Sequence, residues 1–256
     1  PGAQDTIIFG EKSGSSCTGD LNTPGLVNKV IIKSGFLFDL GTSNNPSSIT
    51  APHYDIRGSG SHHLKNQGDI ITDFNVYGSG TISLTGNPSV QGTVTNLKFL
   101  GSTTSGIHPA YKGSFIMDNT INVTNLVVDG SCGGLINLGT TVPITNASVD
   151  GRGVSVTLQT GATYLHLEGA VPGFINKVIL NPAAATTFGS VRIESNHQET
   201  ALLDIRTDNT ISDLYMDGGT LDYKHFAGTD GASITQGELY GSALVDMRSV
   251  AEFISM

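Results

Sequence analysis

Val123-Thr124-Asn125-Leu126-Val127-Val128-Asp129-Gly130-Ser131 carries apolar residues at its first, fourth and sixth positions, then a turn dipeptide. The pattern stands upstream as Val94-Thr95-Asn96-Leu97-Lys98-Phe99-Leu100-Gly101-Ser102 and downstream as Ile144-Thr145-Asn146-Ala147-Ser148-Val149-Asp150-Gly151-Arg152. Five further copies begin at Val27, Ile71, Ile175, Ile211 and Ile234. Positions four to seven alternate, as in a strand with one face in a core. The second position is Thr, Asn or Ser in every copy and the third is often Asn or Asp. The eighth is Gly in six of the eight copies, where a turn requiring φ > 0 places it.

Neighbouring copies lie 23 residues apart from Ile71 to Val94, 29 to Val123, 21 to Ile144, and 23 from Ile211 to Ile234. A period in the low twenties, all strand and turn, is that of a β-solenoid coil. Leucine-rich repeats share the period, but their LxxLxLxxN signature is missing, and propeller blades need about 40 residues each. Wider gaps leave room for extra coils, with Asp55–Gly60 ending one and Leu165–Gly169 and Leu202–Arg206 as strands of others. The expected fold is all-β: a single-stranded right-handed parallel β-helix of about 8 to 11 coils. It spans 27–256, with 1–26 as an N-terminal cap or linker.

Composition agrees and narrows the function. Gly is abundant at 33 residues, hydrophobic residues make up 38% and charged ones 14%, a mixture suited to many short strands and turns. The net charge of −9, with only 13 scattered Lys and Arg, excludes nucleic acid as an expected partner. No apolar run reaches 18 residues, so no membrane insertion is expected. Cys17 and Cys132 form no CxxC spacing and read as free thiols, and no metal or cofactor is expected. Pro1–Asp5 has neither a basic nor an apolar signal region and no initiator Met, which reads as a processed piece of a longer protein.

Asn28–Phe38, a short apolar strand leading through a Gly turn, resembles the opening coil of pectate-lyase-like β-helices. Ile49–Gly60 resembles their second coil, and Asn96, Asn125 and Asn146 stand where that family stacks an asparagine ladder at a corner. The likeness covers the chain from about Val27 and concerns the fold. Within it, phage tailspikes and appendages are the most similar: Gly, Ser, Thr and Asn-rich, and acidic. The NTD, DD, GHG and RIK-type motifs of the polygalacturonase branch are missing as a set, with Thr207-Asp208-Asn209 a scrambled echo. Fold analogy alone does not give function.

Two sets of residues are candidates for chemistry. In the seventh column, Asp129 and Asp150 are expected one rung apart at about 4.8 Å, close to the carboxylate spacing of a retaining glycosidase. Asn181 and Asp217 are expected to continue that column, Arg152 lies two residues past Asp150, and Tyr77 and Tyr240 offer sugar-stacking platforms. The competing reading is that Asp-Gly is an ordinary turn dipeptide. The second set is Glu194, Glu199, Asp204, Asp208, Asp213 and Asp217, interleaved with Arg192, His197 and Arg206. Here Glu194, Asp204 and Asp208 are the candidate acid and base groups and Arg206 a sugar-orienting cation, against the alternative of a solvated loop. His62 and His63, with His53 upstream, resemble a metal site. Neighbours on a strand point to opposite faces, however, and cannot both ligate one ion without a turn, so a surface loop is expected instead.

The resemblance implies a virion attachment protein of tailspike or appendage type, binding a host cell-surface polysaccharide. Such proteins are usually homotrimers, so a homotrimer on the virion surface is expected, with an extracellular protein as the alternative. A glycoside hydrolase or lyase on the same scaffold and a purely structural spike or adhesin shaft are the other readings.

Overall fold

The structure, a computed structural model, describes residues 3–11, 15–17, 26–101, 110–169, 172–181, 185–196, 200–223, 232–246 and 251–253. The chain is a right-handed parallel β-solenoid of about nine turns. Twelve strands stack as a first sheet, in chain order: Thr6–Phe9, Lys29–Ile32, His53–Ile56, Ile70–Val76, Gly92–Phe99, Ile121–Val128, Ile144–Asp150, Ala162–Gly169, Thr186–Ser195, Asn209–Asp217, Ala232–Tyr240 and Ala251–Phe253. Nine strands form the second: Ser61–Lys65, Thr81–Thr85, Ser114–Met117, Gly134–Leu138, Val154–Leu158, Asn176–Leu180, Ala201–Ile205, Thr220–Asp222 and Leu244–Asp246. From His53 on, the chain visits the sheets alternately, one strand of each per turn. The segment read as a cap or linker carries the outermost rung, Thr6–Phe9 paired in parallel with Lys29–Ile32.

The spacing of the apolar positions has a direct structural cause. In Gly92–Phe99 and Ile121–Val128 the in-out alternation slips once, at Thr95-Asn96 and Thr124-Asn125, where two successive residues face outward. The strand bends there, so Val94 and Leu97 are both buried although three residues apart, and Phe99 follows two later. A strict period of two would have placed Leu97 in water. Inside, Tyr54 stacks on Phe74 with ring centroids 5.2 Å apart, and Phe115 packs edge-on to Phe99 at 5.1 Å. Burying each such ring contributes about 2–3 kcal/mol.

Seven of the eight repeat copies fall in register on the first sheet, their third positions aligning through Lys29, Asp73, Asn96, Asn125, Asn146, Asp213 and Gln236. The copy at Ile175 does not: Asn176–Leu180 belongs to the second sheet, between Val154–Leu158 and Ala201–Ile205. The first-sheet rungs there are Ala162–Gly169 and Thr186–Ser195. The turn glycines divide as well. Gly78, Gly218 and Gly241 have positive φ, and a Cβ on Gly218 would stand 1.9 Å from the Ser195 carbonyl oxygen, whereas Gly101, Gly130 and Gly151 keep ordinary φ.

The asparagine ladder forms. Asn146 Nδ2 donates to Asn125 Oδ1 at 2.9 Å, Asn125 Nδ2 to Asn96 Oδ1 at 3.0 Å, and Asn96 Nδ2 to Asp73 Oδ1 at 3.2 Å. It runs along the outer side of the bend and not in a buried corner, because position three faces water. His62 and His63 correct the loop expectation: they lie in the strand Ser61–Lys65 on opposite faces. His62 is fully buried and stacks on Phe36 at 5.9 Å, while His63 meets Ser83 Oγ at 2.8 Å. Both cysteines are free thiols.

Candidate functional site

Parallel pairing repeats one register from turn to turn, so a position of the repeat becomes a line along the solenoid. At position seven, Asp150 pairs with Glu168, Glu168 with Glu194, Glu194 with Asp217, and Asp217 with Tyr240. Asp129 precedes Asp150, since Val128 pairs with Val149. Five acidic residues thus stand on successive rungs at about 4.8 Å intervals. The two acidic groups read from the sequence meet here: Asp129, Asp150, Glu194 and Asp217 share one column. Glu168, missed in the sequence, completes it, and Asn181 lies outside it, after the second-sheet strand Asn176–Leu180.

The charges are not equivalent. Burial and the neighbouring charges of Glu168 and Asp129 push the Asp150 carboxyl above its usual range, with His166 opposing. Glu194 is held below the usual range by a hydrogen bond from Arg192 at 2.6 Å, and His166 Nε2 lies 2.8 Å from its other oxygen. The column therefore holds one carboxyl biased toward its protonated form and one biased toward its carboxylate, two rungs apart.

Position five runs alongside, aligning Ser148, His166, Arg192, Tyr215 and Glu238. The Arg192 guanidinium lies 4.4 Å from the centre of the Tyr215 ring, and Tyr215 and Tyr240 have ring centroids 5.6 Å apart, inclined at 42°. Tyr240 is 52% exposed and Tyr164 38%. Beside them a cleft of about 260 Å³ is lined by Glu168, Gly169, Glu194, Ser195, Asn196 and Asp217. Aromatic faces, a fixed guanidinium and carboxylates on one extended strip can stack on sugar rings and bond their hydroxyls.

Other candidates lie apart. Asp204 is in the second sheet, its side chain 1% exposed, with Lys177 Nζ at 2.7 Å and Arg206 at 3.0 Å. Burial pushes its carboxyl up, but the hydrogen bonds from Arg206 and Lys177 outweigh this and hold it low. Asp208 sits in the turn before Asn209–Asp217, its carbonyl accepting from the Thr186 amide at 3.1 Å. The structure therefore does not bring Asp204, Asp208 and Arg206 to Glu194, and Glu199 and His197 lie outside the described residues. Tyr77 lies at the other end of the seventh column, 5.4 Å from the Arg57 guanidinium. Arg152 lies 4.6 Å over Phe174, in a cleft of about 620 Å³ at the corner between the sheets, with Gly78, Ser79, Ala110, Lys112 and Ser131.

Among the described residues no group of three or more His, Cys, Asp or Glu side chains is placed to hold a metal ion. Nor, among them, is any helix long and apolar enough to cross a membrane. Fold and strip together define a parallel β-solenoid with an acidic, tyrosine-bearing outer edge. The chain matches no protein-family model, no curated protein and no solved structure.

Proposed function

We propose that this chain is a glycan-binding attachment protein of virion tailspike or appendage type. A host-surface polysaccharide would lie along the outer edge of the first sheet. The observation that carries the reading is the alignment of Arg192, Tyr215 and Tyr240 on adjacent rungs, beside Glu194 and the half-open Tyr164. A linear polymer suits a solenoid because both repeat along one axis. A homotrimer belongs to this reading: Leu135 at 61% and Ile116 at 49% exposure leave apolar surface on the second sheet for further copies of the chain to cover. The test is retention of the protein on a panel of bacterial surface polysaccharides, with mass by light scattering. Tyr215→Ala and Arg192→Ala should each weaken binding about tenfold, as loss of a stacking contact of about 1–1.5 kcal/mol implies. Failure to bind any glycan favours a structural shaft, and a monomeric mass removes the trimer.

A glycoside hydrolase on the same strip is the second reading, favoured by the raised carboxyl of Asp150 one rung from Glu168. Carboxylates at such spacing serve a retaining mechanism, one as acid and the other as nucleophile. New reducing ends, abolished by Asp150→Asn or Glu168→Gln with binding kept, would select it. Binding without cleavage would reject it.

A further inference from the structure

We propose that the corner cleft between the sheets is a binding site for a small oxyanion, a carboxylate or a phosphate, held between Lys112 and Arg152. Six of the ten described Lys and Arg residues have a carboxylate partner: Lys29, Arg57, Lys98, Lys177, Arg192 and Arg206. Among the described residues Lys112 and Arg152 have none, and both line the corner cleft of about 620 Å³. In a chain of net charge −9, two exposed cations left without a counter-ion in one concavity mark a place where an anion is favoured.

The fold sets their separation. Leu135 pairs with both Ser114 and Ser155, so the turns before those strands stack in the same order, Lys112 on one side and Arg152 on the other. Backbone bonds confirm the stacking: Gly133 N donates to Tyr111 O at 2.8 Å and Arg152 N to Cys132 O at 2.5 Å. The two cations are thus two rungs apart, about 10 Å along the axis, with Ser131 on the rung between. Long side chains donating at about 3 Å from each side can close on a single carboxyl or phosphoryl group across that span. The Phe174 ring beneath Arg152 holds its guanidinium in place, which reduces the entropy lost on binding. Arg152 is turned toward Phe174 and, among the described residues, forms no ion pair with Asp150. The site does not depend on the glycan reading, because its residues lie off the Tyr215 strip.

The test is a titration of the whole chain, ¹⁵N-labelled, with inorganic phosphate, D-glucuronate and, as neutral control, D-glucose. Amide shifts at Ser79, Ser131 and Gly153 are expected with an anion and not with glucose. Lys112→Gln and Arg152→Gln should each weaken the response about tenfold, and Tyr215→Ala should leave it unchanged. Both replaced side chains are exposed, and far-UV circular dichroism confirms folding. A response to glucuronate alone assigns a sugar acid, and one to phosphate alone a phosphoryl group. Equal shifts with glucose, an unaltered response in both variants, or no anion response at tens of millimolar overturns the proposal.

Discussion

Asp150 and Glu168 face each other on adjacent parallel strands, one rung apart on the outer edge of the first sheet. Like charges directly opposed across a ladder destabilise it, and the raised Asp150 carboxyl reflects burial together with this pairing.

Asp150→Asn should therefore stabilise the protein at pH 7, by a few tenths to about 1 kcal/mol. The sign follows from linkage: a folded-state pKa above the unfolded value of about 3.8 means that the folded state loses stability as pH rises through that window. The gain should vanish below pH 4. Urea melts of both proteins at pH 7 and pH 3.5 check this, and destabilisation by the substitution at pH 7 would sink the account.

Asp204→Asn should cost about 1–3 kcal/mol, because it weakens charged hydrogen bonds from Lys177 and Arg206 at a site closed to water. Since the folded Asp204 carboxyl is depressed, its contribution is present above the unfolded pKa and lost as pH falls below about 4. Glycan binding by the folded variant should be unchanged. Loss of binding in a variant with an intact circular dichroism spectrum would return Asp204 to the site.

His62 should make the fold acid-sensitive. Burial lowers its pKa to about 4 from 6.5, with Asp39 opposing and His63 adding to the shift. Below 6.5 the unfolded chain takes a proton that the folded chain refuses, so stability falls as pH drops toward 4, by up to about 3 kcal/mol. His62→Phe, which keeps a ring against Phe36, should flatten this dependence. Equal slopes of melting temperature between pH 6.5 and 4 in both proteins would refute it.

The ladder predicts an order among variants at Asn125, which donates to Asn96 and accepts from Asn146. Asn125→Ala should cost about 1 kcal/mol. Asn125→Asp should cost more at pH 7, because an acceptor then faces the Asn96 oxygen, and the excess should shrink at pH 3, where a carboxyl can donate. Thermal melts of the two variants at both pH values decide it.

Much of this was legible in the repeat. The apolar positions at one, four and six mark the inward residues Val123, Leu126 and Val128, and the polar pair between them marks the bend. Two first-sheet rungs lie outside the eight copies, the first of them legible only as the strand Leu165–Gly169. Ala162-Thr163-Tyr164-Leu165-His166-Leu167-Glu168-Gly169 keeps the apolar spacing, but Tyr164 stands where most copies carry Asn or Asp. Phe188-Gly189-Ser190-Val191-Arg192-Ile193-Glu194 keeps it too, behind an unusual glycine. The apolar spacing, weighted above the polar third position, places both in the repeat, with Glu168 and the already singled-out Glu194 at its seventh position. Ile175-Asn176-Lys177-Val178 matched the polar signature and misled, because second-sheet strands also alternate.

Which side chains face the core, and that the chain coils with a short period, follows from local patterning alone, since alternation and turn residues are local properties of the backbone. That patterning also carried the amide ladder, whose members recur at one place in each copy. Which sheet a strand joins, and so which acids share a column, was decided only in three dimensions. Register between turns comes from stacking across loops of unequal length, and an alternating strand fits either sheet equally well. Stacking therefore joined Asp150, Glu168, Glu194 and Asp217 into one line and drew Asp204 away from them to Lys177 and Arg206.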